Sequence, residues 1–372
     1  MDARDVAVTF DPHRLVTARE LLGYSQVDAA REVGALTPAP LTSASISQFE
    51  KGHVRPSAAT LERLAEALQV PVSFFAARTR SAASERISEE RAYERAFFRS
   101  LRSSAVSDRR RARALTELVH LLVLELQEIV ELPPFDVPEH PARDQQAVEE
   151  AADLVRQAWQ VPDGPIPDVV QLLERHGIVA ARFRVATDKV DAFNIPYPDR
   201  PVVVLGADKG HRDRSRFDVA HELGHIVLHR QLEPGDKALE QQAHQFAAAF
   251  LMPARDIEHQ LPRKADWGRL IELKREWHVS IAALLKRAHT LDVMRDDDYT
   301  RAMKALSARG WRRQEPADLG APEVPRLLAA AVRVAAEAGS PLEELASRGG
   351  LPVDTLRRLL GPSINPKPSV RI

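Results

Sequence analysis

Residues 221–225 read His221-Glu222-Leu223-Gly224-His225, two histidines four positions apart with a carboxylate between them. On a helix of about 3.6 residues per turn the two imidazoles project roughly 40° apart on one face, close enough to grip a single ion. Phe217, Ala220, Gly224, Val227 and Leu228 form an apolar stripe beside that face, so the histidines are expected to point into a cleft. Gly224 gives up about 1 kcal/mol of helix propensity relative to Ala and leaves room for a helix or a substrate to come close. Glu222, one position along, suits activation of a water at the ion better than ligation. A catalytic zinc also needs a third protein ligand and one open position. Gln231 stands where the extended H-E-x-x-H-x-x-G-x-x-H pattern would put a histidine, so that pattern fails. The candidate is instead Glu240, because Glu240, Ala243, His244, Ala247 and Leu251 share one face of the following helical run. His229 lies a turn beyond His225 and reads as a residue behind the ligands or at the surface. An H-E-x-x-H run also arises by chance on charged surface helices, and the second, Glu-bearing helix is what favours a metal. There is no cysteine. Disulfide scaffolds, Cys nucleophiles and Cys-based metal sites are thereby excluded, and a bound metal takes nitrogen and oxygen ligands.

Two separated runs carry a resemblance. Arg216-Phe217-Asp218-Val219-Ala220-His221-Glu222-Leu223-Gly224-His225, then Glu240-Gln241-Gln242-Ala243-His244-Gln245-Phe246-Ala247-Ala248 with Leu251-Met252-Pro253, resemble the ImmA/IrrE family of metallo-endopeptidases over about residues 145 to 290. The resemblance implies a zincin-like fold with a small mixed sheet. It also implies Zn2+ held by His221, His225 and Glu240, with Glu222 as general base in peptide hydrolysis. The family often has Asn where this chain has His244, which leaves the surroundings of the ligands open and makes His244 a competing donor. The run Pro201-Val202-Val203-Val204-Leu205 is either an edge strand on which an extended peptide lies or an ordinary core strand.

A second set of polar residues lies near the start. Ser25-Gln26-Val27-Asp28-Ala29-Ala30, then Ser43-Ala44-Ser45-Ile46-Ser47-Gln48-Phe49-Glu50-Lys51-Gly52, then Arg55-Pro56, resemble an XRE-type (Cro/repressor-like) helix-turn-helix over roughly residues 11 to 75. In that architecture the third helix enters the major groove of duplex DNA. Ser43, Ala44, Ser45 and Gln48 are then nominated for the groove, Gln26 for a phosphate or base edge, and Lys51 and Arg55 for the backbone. Ile46 and Phe49 are core by spacing. The loop from Ala35 to Leu41 is longer than a tight helix-turn-helix turn, which leaves the register of Ser43 and Ser45 open by a residue.

The elements that must position these groups follow from periodicity. Leu15, Ala18, Leu21 and Leu22 mark one helix, Ser25 caps a second, Thr42 or Ser43 a third, and Pro56-Ser57 opens a fourth with Leu61, Leu64, Ala65 and Leu68 facing inward. The segment 78–113 holds eleven Arg against five acidic residues. It either supplies phosphate contacts or forms a solvated helix laced by opposite-charge pairs such as Arg86 with Glu90. The first 75 residues, with seven basic and nine acidic side chains, make a weak footprint for DNA by themselves. Leu115, Leu118, Leu122, Leu126 and Ile129 continue as a long helix, either a dimer seam or a face packed on a neighbouring domain. A Pro-rich linker follows. Helices are expected over Ala147 to Trp159, Pro167 to His176, Arg216 to Leu228 and Leu239 to Leu251, with strands at Ile178 to Phe183, Asp191 to Ile195 and Val202 to Leu205. Short amphipathic helices close the chain after a turn-rich break from Gly310 to Pro325, and lack a polar recognition face.

The fold class expected is mainly α with a small mixed β-sheet (α+β). The division is a five-helix, lambda-repressor-like helix-turn-helix domain at 1–77, an Arg-rich connector and Pro-rich linker at 78–140, a zincin-like peptidase domain at 141–292 and a C-terminal helical domain at 293–372. Lys plus Arg (52) nearly balances Asp plus Glu (53), a net charge of −1 that hides the basic stretch. The first residues carry no apolar targeting segment, and no run of about 18 apolar residues occurs, so a cytoplasmic chain without a membrane partner is expected. The function expected is a DNA-binding transcriptional regulator with a zinc endopeptidase that cuts a repressor-type protein in a stress or mobile-element response, possible as a homodimer on a pseudo-palindromic operator. The alternative keeps the fold without the reaction: a repressor or antitoxin-like regulator whose peptidase-like domain senses a ligand or metal.

Overall fold

The computed structural model describes residues 1–36, 41–77, 105–183, 192–207, 210–230, 232 and 236–361. The readings of Arg78 to Ser104, of positions 37–40 in the long turn, and of Asp191 as a strand start lie outside these residues.

Five short helices form the N-terminal head: α1 (Ala3–Val8), α2 (Pro12–Leu21), α3 (Gln26–Ala35), α4 (Ser43–Glu50) and α5 (Ala58–Leu68), followed by a 3-10 turn at Val72–Phe75. Each helix starts on a side chain that accepts from its own first turn: Asp2, Asp11, Ser25, Thr42 and Ser57. Ser25 and Asp28 close a reciprocal capping box. The spacing-derived core residues Leu15, Ala18, Ile46, Leu61 and Leu64 are fully buried.

Helix α6 (Val106–Gln127) lies against α2. Glu20, almost fully buried, takes an ion pair from Arg113 and a looser one from Arg110 at 3.8 Å. Buried Glu117 accepts from the Thr17 hydroxyl at 2.8 Å. Leu115, Leu118, Leu122 and Leu126 are buried within this one chain, in the same core as the head, which answers the open choice in favour of packing over a dimer seam.

Two cores meet at the sheet. Strands β1 (Val179–Phe183), β2 (Ala192–Pro196) and β3 (Pro201–Gly206) are ordered β1-β3-β2, with β1 parallel and β2 antiparallel to β3. One face (Val179, Ala181, Phe193, Ile195, Val202, Val204) packs with the head and α6. The other (Ala180, Ala192, Val203, Leu205) packs with α7 (Gln145–Ala158), α8 (Val169–Arg175), α9 (Arg212–Leu228), α10 (Lys237–Leu251), α12 (Trp267–Trp277), α13 (Ile281–Thr290) and α14 (Asp296–Ala308), a short α11 (Ala254–Ile257) lying between α10 and α12. Burial on both faces explains the unbroken apolar run of β3. Strand β3 is central, so of the two readings left open for Pro201 to Leu205 the core strand is the one realised.

The last helices, α15 (Leu327–Glu337), α16 (Leu342–Gly349) and α17 (Val353–Leu360), return to the first core and pack on α6 and β1. Their entry is fixed by reciprocal capping. Glu323 accepts from the Val169 and Val170 amides at the start of α8, while Glu174 near the end of α8 accepts from Arg326 and Leu327 at the start of α15. Arg216 and Glu323, each about 1% exposed at the side chain, are ion-paired. In the turn between α8 and β1, Gly177 has φ +78 and a side chain there would overlap the linker backbone at Pro134 and Phe135, so only glycine fits. Among the described residues no helix is long and apolar enough to cross a membrane.

Candidate metal centre and DNA-facing residues

Among the described residues, helices α9 and α10 form the most extensive helix–helix contact. Gly224 makes it possible. A Cβ there would lie 3.2 Å from both Cα and O of Ala243 and 3.1 Å from the Phe246 ring, so the missing side chain admits the α10 backbone and not a substrate. Close approach brings Glu240, in the first turn of α10, opposite the histidines of α9. A carboxylate also suits that position by the helix dipole.

His221, His225 and Glu240 each present a ligand atom, all within 4.8 Å of one another. Nε2 of His221 lies 3.1 Å from Nε2 of His225 and 3.4 Å from a Glu240 oxygen, and His225 lies 3.9 Å from the other oxygen. Two donors about 2.0–2.1 Å from a tetrahedral ion stand about 3.3 Å apart, so the trio has the spread of a single first coordination sphere. Two imidazoles and a carboxylate are a donor set suited to zinc. The electrostatics agree. Burial opposes protonation of His221, yet the hydrogen bond to Glu240 and the charges of Glu222 and Glu240 raise its pKa, which marks a place that favours positive charge.

Behind His225 runs a chain of hydrogen bonds that sets its tautomer. The Gln242 amide nitrogen donates to the Ala142 carbonyl at 3.0 Å, which turns its oxygen toward Nε2 of His229 at 2.9 Å. His229 is 1% exposed, and burial lowers its pKa, which favours the neutral ring. With Nε2 donating, Nδ1 of His229 is the acceptor for Nδ1 of His225 at 3.0 Å. His225 then carries its proton on Nδ1 and offers a bare Nε2 lone pair to the site. The surface option for His229 is therefore wrong.

Glu222 is buried beside the trio, and Asn194 Nδ2 on β2 donates to it at 2.6 Å. Burial pushes its carboxyl up to about 7, against the pull of His221 and of the Asn194 bond. Asn194 pairs with Val203 in the sheet register, which puts both on the face toward α9. His244 is exposed and lies with its ring 4.5 Å from that of His221, outside the ligand trio. Sequence reading missed Asn194 and Gln242. Neither sits at motif spacing from the histidines, although the four-residue step from His225 to His229 was a signal for the relay.

In the head, Ala44 and Gln48 are exposed on α4, Ser43 and Ser45 are half-buried, and Ile46 and Phe49 face the core. Ser45 is tied to the cap, its hydroxyl 3.0 Å from that of Thr42. Gln48 pairs with His53 at 3.2 Å, an exposed residue that the motif reading did not nominate. Gln26 donates to Glu50 at 2.7 Å, and Glu50 is also held by Arg19 at 2.6 Å, so Gln26 is anchored between α3 and α4. Lys51 and Arg55 are exposed, and Arg55 donates to the Val8 carbonyl that ends α1.

Residues 173–289 match the family model of the IrrE N-terminal-like domain (Peptidase_M78), and residues 15–75 match a helix-turn-helix family model (HTH_3). The search of curated proteins found no match. The first match spans the sheet, α9 and α10, and the second covers α2 to α5 and the 3-10 turn. The chain thus joins a helix-turn-helix domain of XRE type, at 15–75, to an IrrE-like domain of metallopeptidase type, at 173–289.

Proposed function

We propose that the protein is a transcriptional regulator whose IrrE-like domain, centred on residues 141–292, is a zinc endopeptidase acting on a repressor-type protein. Its head, residues 1–77, reads an operator in duplex DNA. The observation that carries the reading is the convergence of His221, His225 and Glu240 from two helices beside a buried carboxyl, Glu222.

His221, His225 and Glu240 would hold the ion. Bound zinc supplies Lewis-acid polarisation of a carbonyl and acidifies a water. The chain's own residues supply the rest. Glu222, with a pKa of about 7, takes up a proton near neutral pH and returns it to the leaving amine. Asn194 holds the Glu222 carboxylate so that one oxygen keeps a fixed direction. The His225–His229–Gln242 relay keeps the His225 lone pair aimed at the site. Because head and sheet share one core, the peptidase travels with the DNA reader, which supports a substrate that is itself a DNA-bound regulator. A two-fold dimer on an operator would have to form through a surface other than the α6 leucines, which are already covered.

Metal analysis of the purified chain, followed by incubation with the repressor encoded nearby, tests the reading. Glu222→Gln should retain about one zinc and lose cleavage by at least about 100-fold. If the variant keeps its zinc and the regulatory output is intact, the domain works as a sensor and not by proteolysis. For the head, Gln48→Ala and Ser45→Arg should weaken operator binding, and unchanged affinity in both would remove these residues from the groove.

A further inference from the structure

A cavity of about 430 Å3 lies at the junction of the head, α6, the end of β1 and α17. Its apolar floor includes Leu22, Leu68, Leu115, Phe183 and Leu359. Three arginines line it, each from a different element: Arg111 on α6, Arg182 on β1 and Arg358 on α17. A smaller cavity of about 190 Å3 continues from it and shares Arg182, Arg358 and Leu359. Among the described residues neither cavity is lined by an Asp or a Glu.

Charge pairing elsewhere makes this unusual. Arg113, Arg216 and Arg287 each meet a carboxylate. Among the described residues none of the three cavity arginines forms an ion pair, although the charges of Glu323 and Asp218 act on Arg182. Arg182 donates only to the carbonyls of Gly206 and Glu323 and to the Ser215 hydroxyl, and its buried Nε has no acceptor. Arg358 donates to the Thr355 hydroxyl. Nη1 and Nη2 of Arg182 are engaged by Gly206, Ser215 and Glu323, which leaves Arg111 and Arg358 as the side chains whose guanidinium donors a carboxylate at the cavity can take. The size falls in the range of small-molecule pockets, and the combination of an apolar floor with a few convergent polar groups is the usual make-up of such a site.

We propose that this junction cavity binds a small carboxylic acid with an apolar body, the carboxylate held by Arg111 and Arg358 and the body by the leucine and phenylalanine side chains. The bidentate geometry of guanidinium favours a carboxylate as the head group. Because head, sheet and last helix all contribute walls, occupancy would tighten the joint between DNA reader and peptidase. The site shares no residue with the metal centre, and its existence does not depend on proteolysis.

The test is titration of the full-length protein with naphthalene-2-carboxylate, naphthalene-2-methanol and inorganic phosphate, read by calorimetry. The acid should bind saturably, and the alcohol and phosphate at least tenfold more weakly. Arg111→Gln with Arg358→Gln removes two exposed side chains that make no ion pair, so it should leave Tm unchanged and weaken the acid at least tenfold. Should that double variant lose Tm, Arg358→Glu alone on its exposed helical position gives the same reading. Absence of saturable binding overturns the proposal, as does equal binding of alcohol or phosphate, or unaltered acid affinity in the folded variants.

Discussion

His225 is held from both sides, one ring nitrogen toward His221 and Glu240 and the other toward His229. An imidazole that must accept on one nitrogen is only as good a ligand as the partner that keeps the proton on the other. His229→Leu keeps the buried volume and removes the acceptor, so zinc affinity should fall about 10- to 100-fold in a chelator competition while the far-UV circular dichroism stays the same. Unchanged affinity would mean that packing alone orients His225. The trio itself was within reach of local pattern, because two histidines at i and i+4 and a Glu on the next apolar face are spacing rules of single helices. Asn194 was not, since it reaches Glu222 from a strand 28 positions earlier in the chain.

Among the elements, α8 and α15 are tied end to end by two buried carboxylates, and these make the joint pH-dependent. Burial raises the Glu174 carboxyl from 4.5 to about 7, against the Arg326 and Leu327 amides that lower it. A carboxyl whose pKa is higher folded than unfolded binds more protons in the native state between those two values. Its contribution to stability is therefore present below about pH 4.5 and is lost as pH rises to about 7. The full loss corresponds to roughly 3 kcal/mol. Glu174→Gln cannot titrate, so its urea midpoint should fall less than the parent's between pH 5 and pH 8, and identical slopes would show that Glu174 stays ionised throughout. Helix boundaries were legible from caps and periodicity: Ser25, Thr42 and Ser57 start their helices as the residue types predict. That α8 and α15 cap each other was not, because the partners are about 150 residues apart.

Across the whole molecule, the C-terminal helices close back on the reading head. Gly350 ends α16 at φ +64, and a Cβ there would stand 2.8 Å from the Ser73 carbonyl of the 3-10 turn. Arg348 reaches Glu125 on α6 at 2.8 Å beside it. Gly350→Ala adds left-handed backbone strain of about 1–2 kcal/mol and also pushes α16 off the head. Gly339 is a built-in control, with φ +88 and open space around it. Melting curves should show a larger fall in Tm for Gly350→Ala than for Gly339→Ala, and faster limited proteolysis of the first. Equal falls would mean that the head and the last helices do not press on each other here.

The residue order alone was enough to place a metal-type motif and a helix-turn-helix on one chain, and to expect helices around a small mixed sheet. Those features rest on local periods and fixed spacings, which a chain carries whatever it later packs against. Only the tertiary structure could say that β3 is central, that the α6 leucines are covered from within, and that the last helices share a core with the first. Each of these depends on which apolar faces meet across a hundred residues or more. Two faces of equal hydrophobicity look the same in sequence, and the meeting is decided by shape, by buried pairs such as Arg216 with Glu323, and by glycines that let backbones touch.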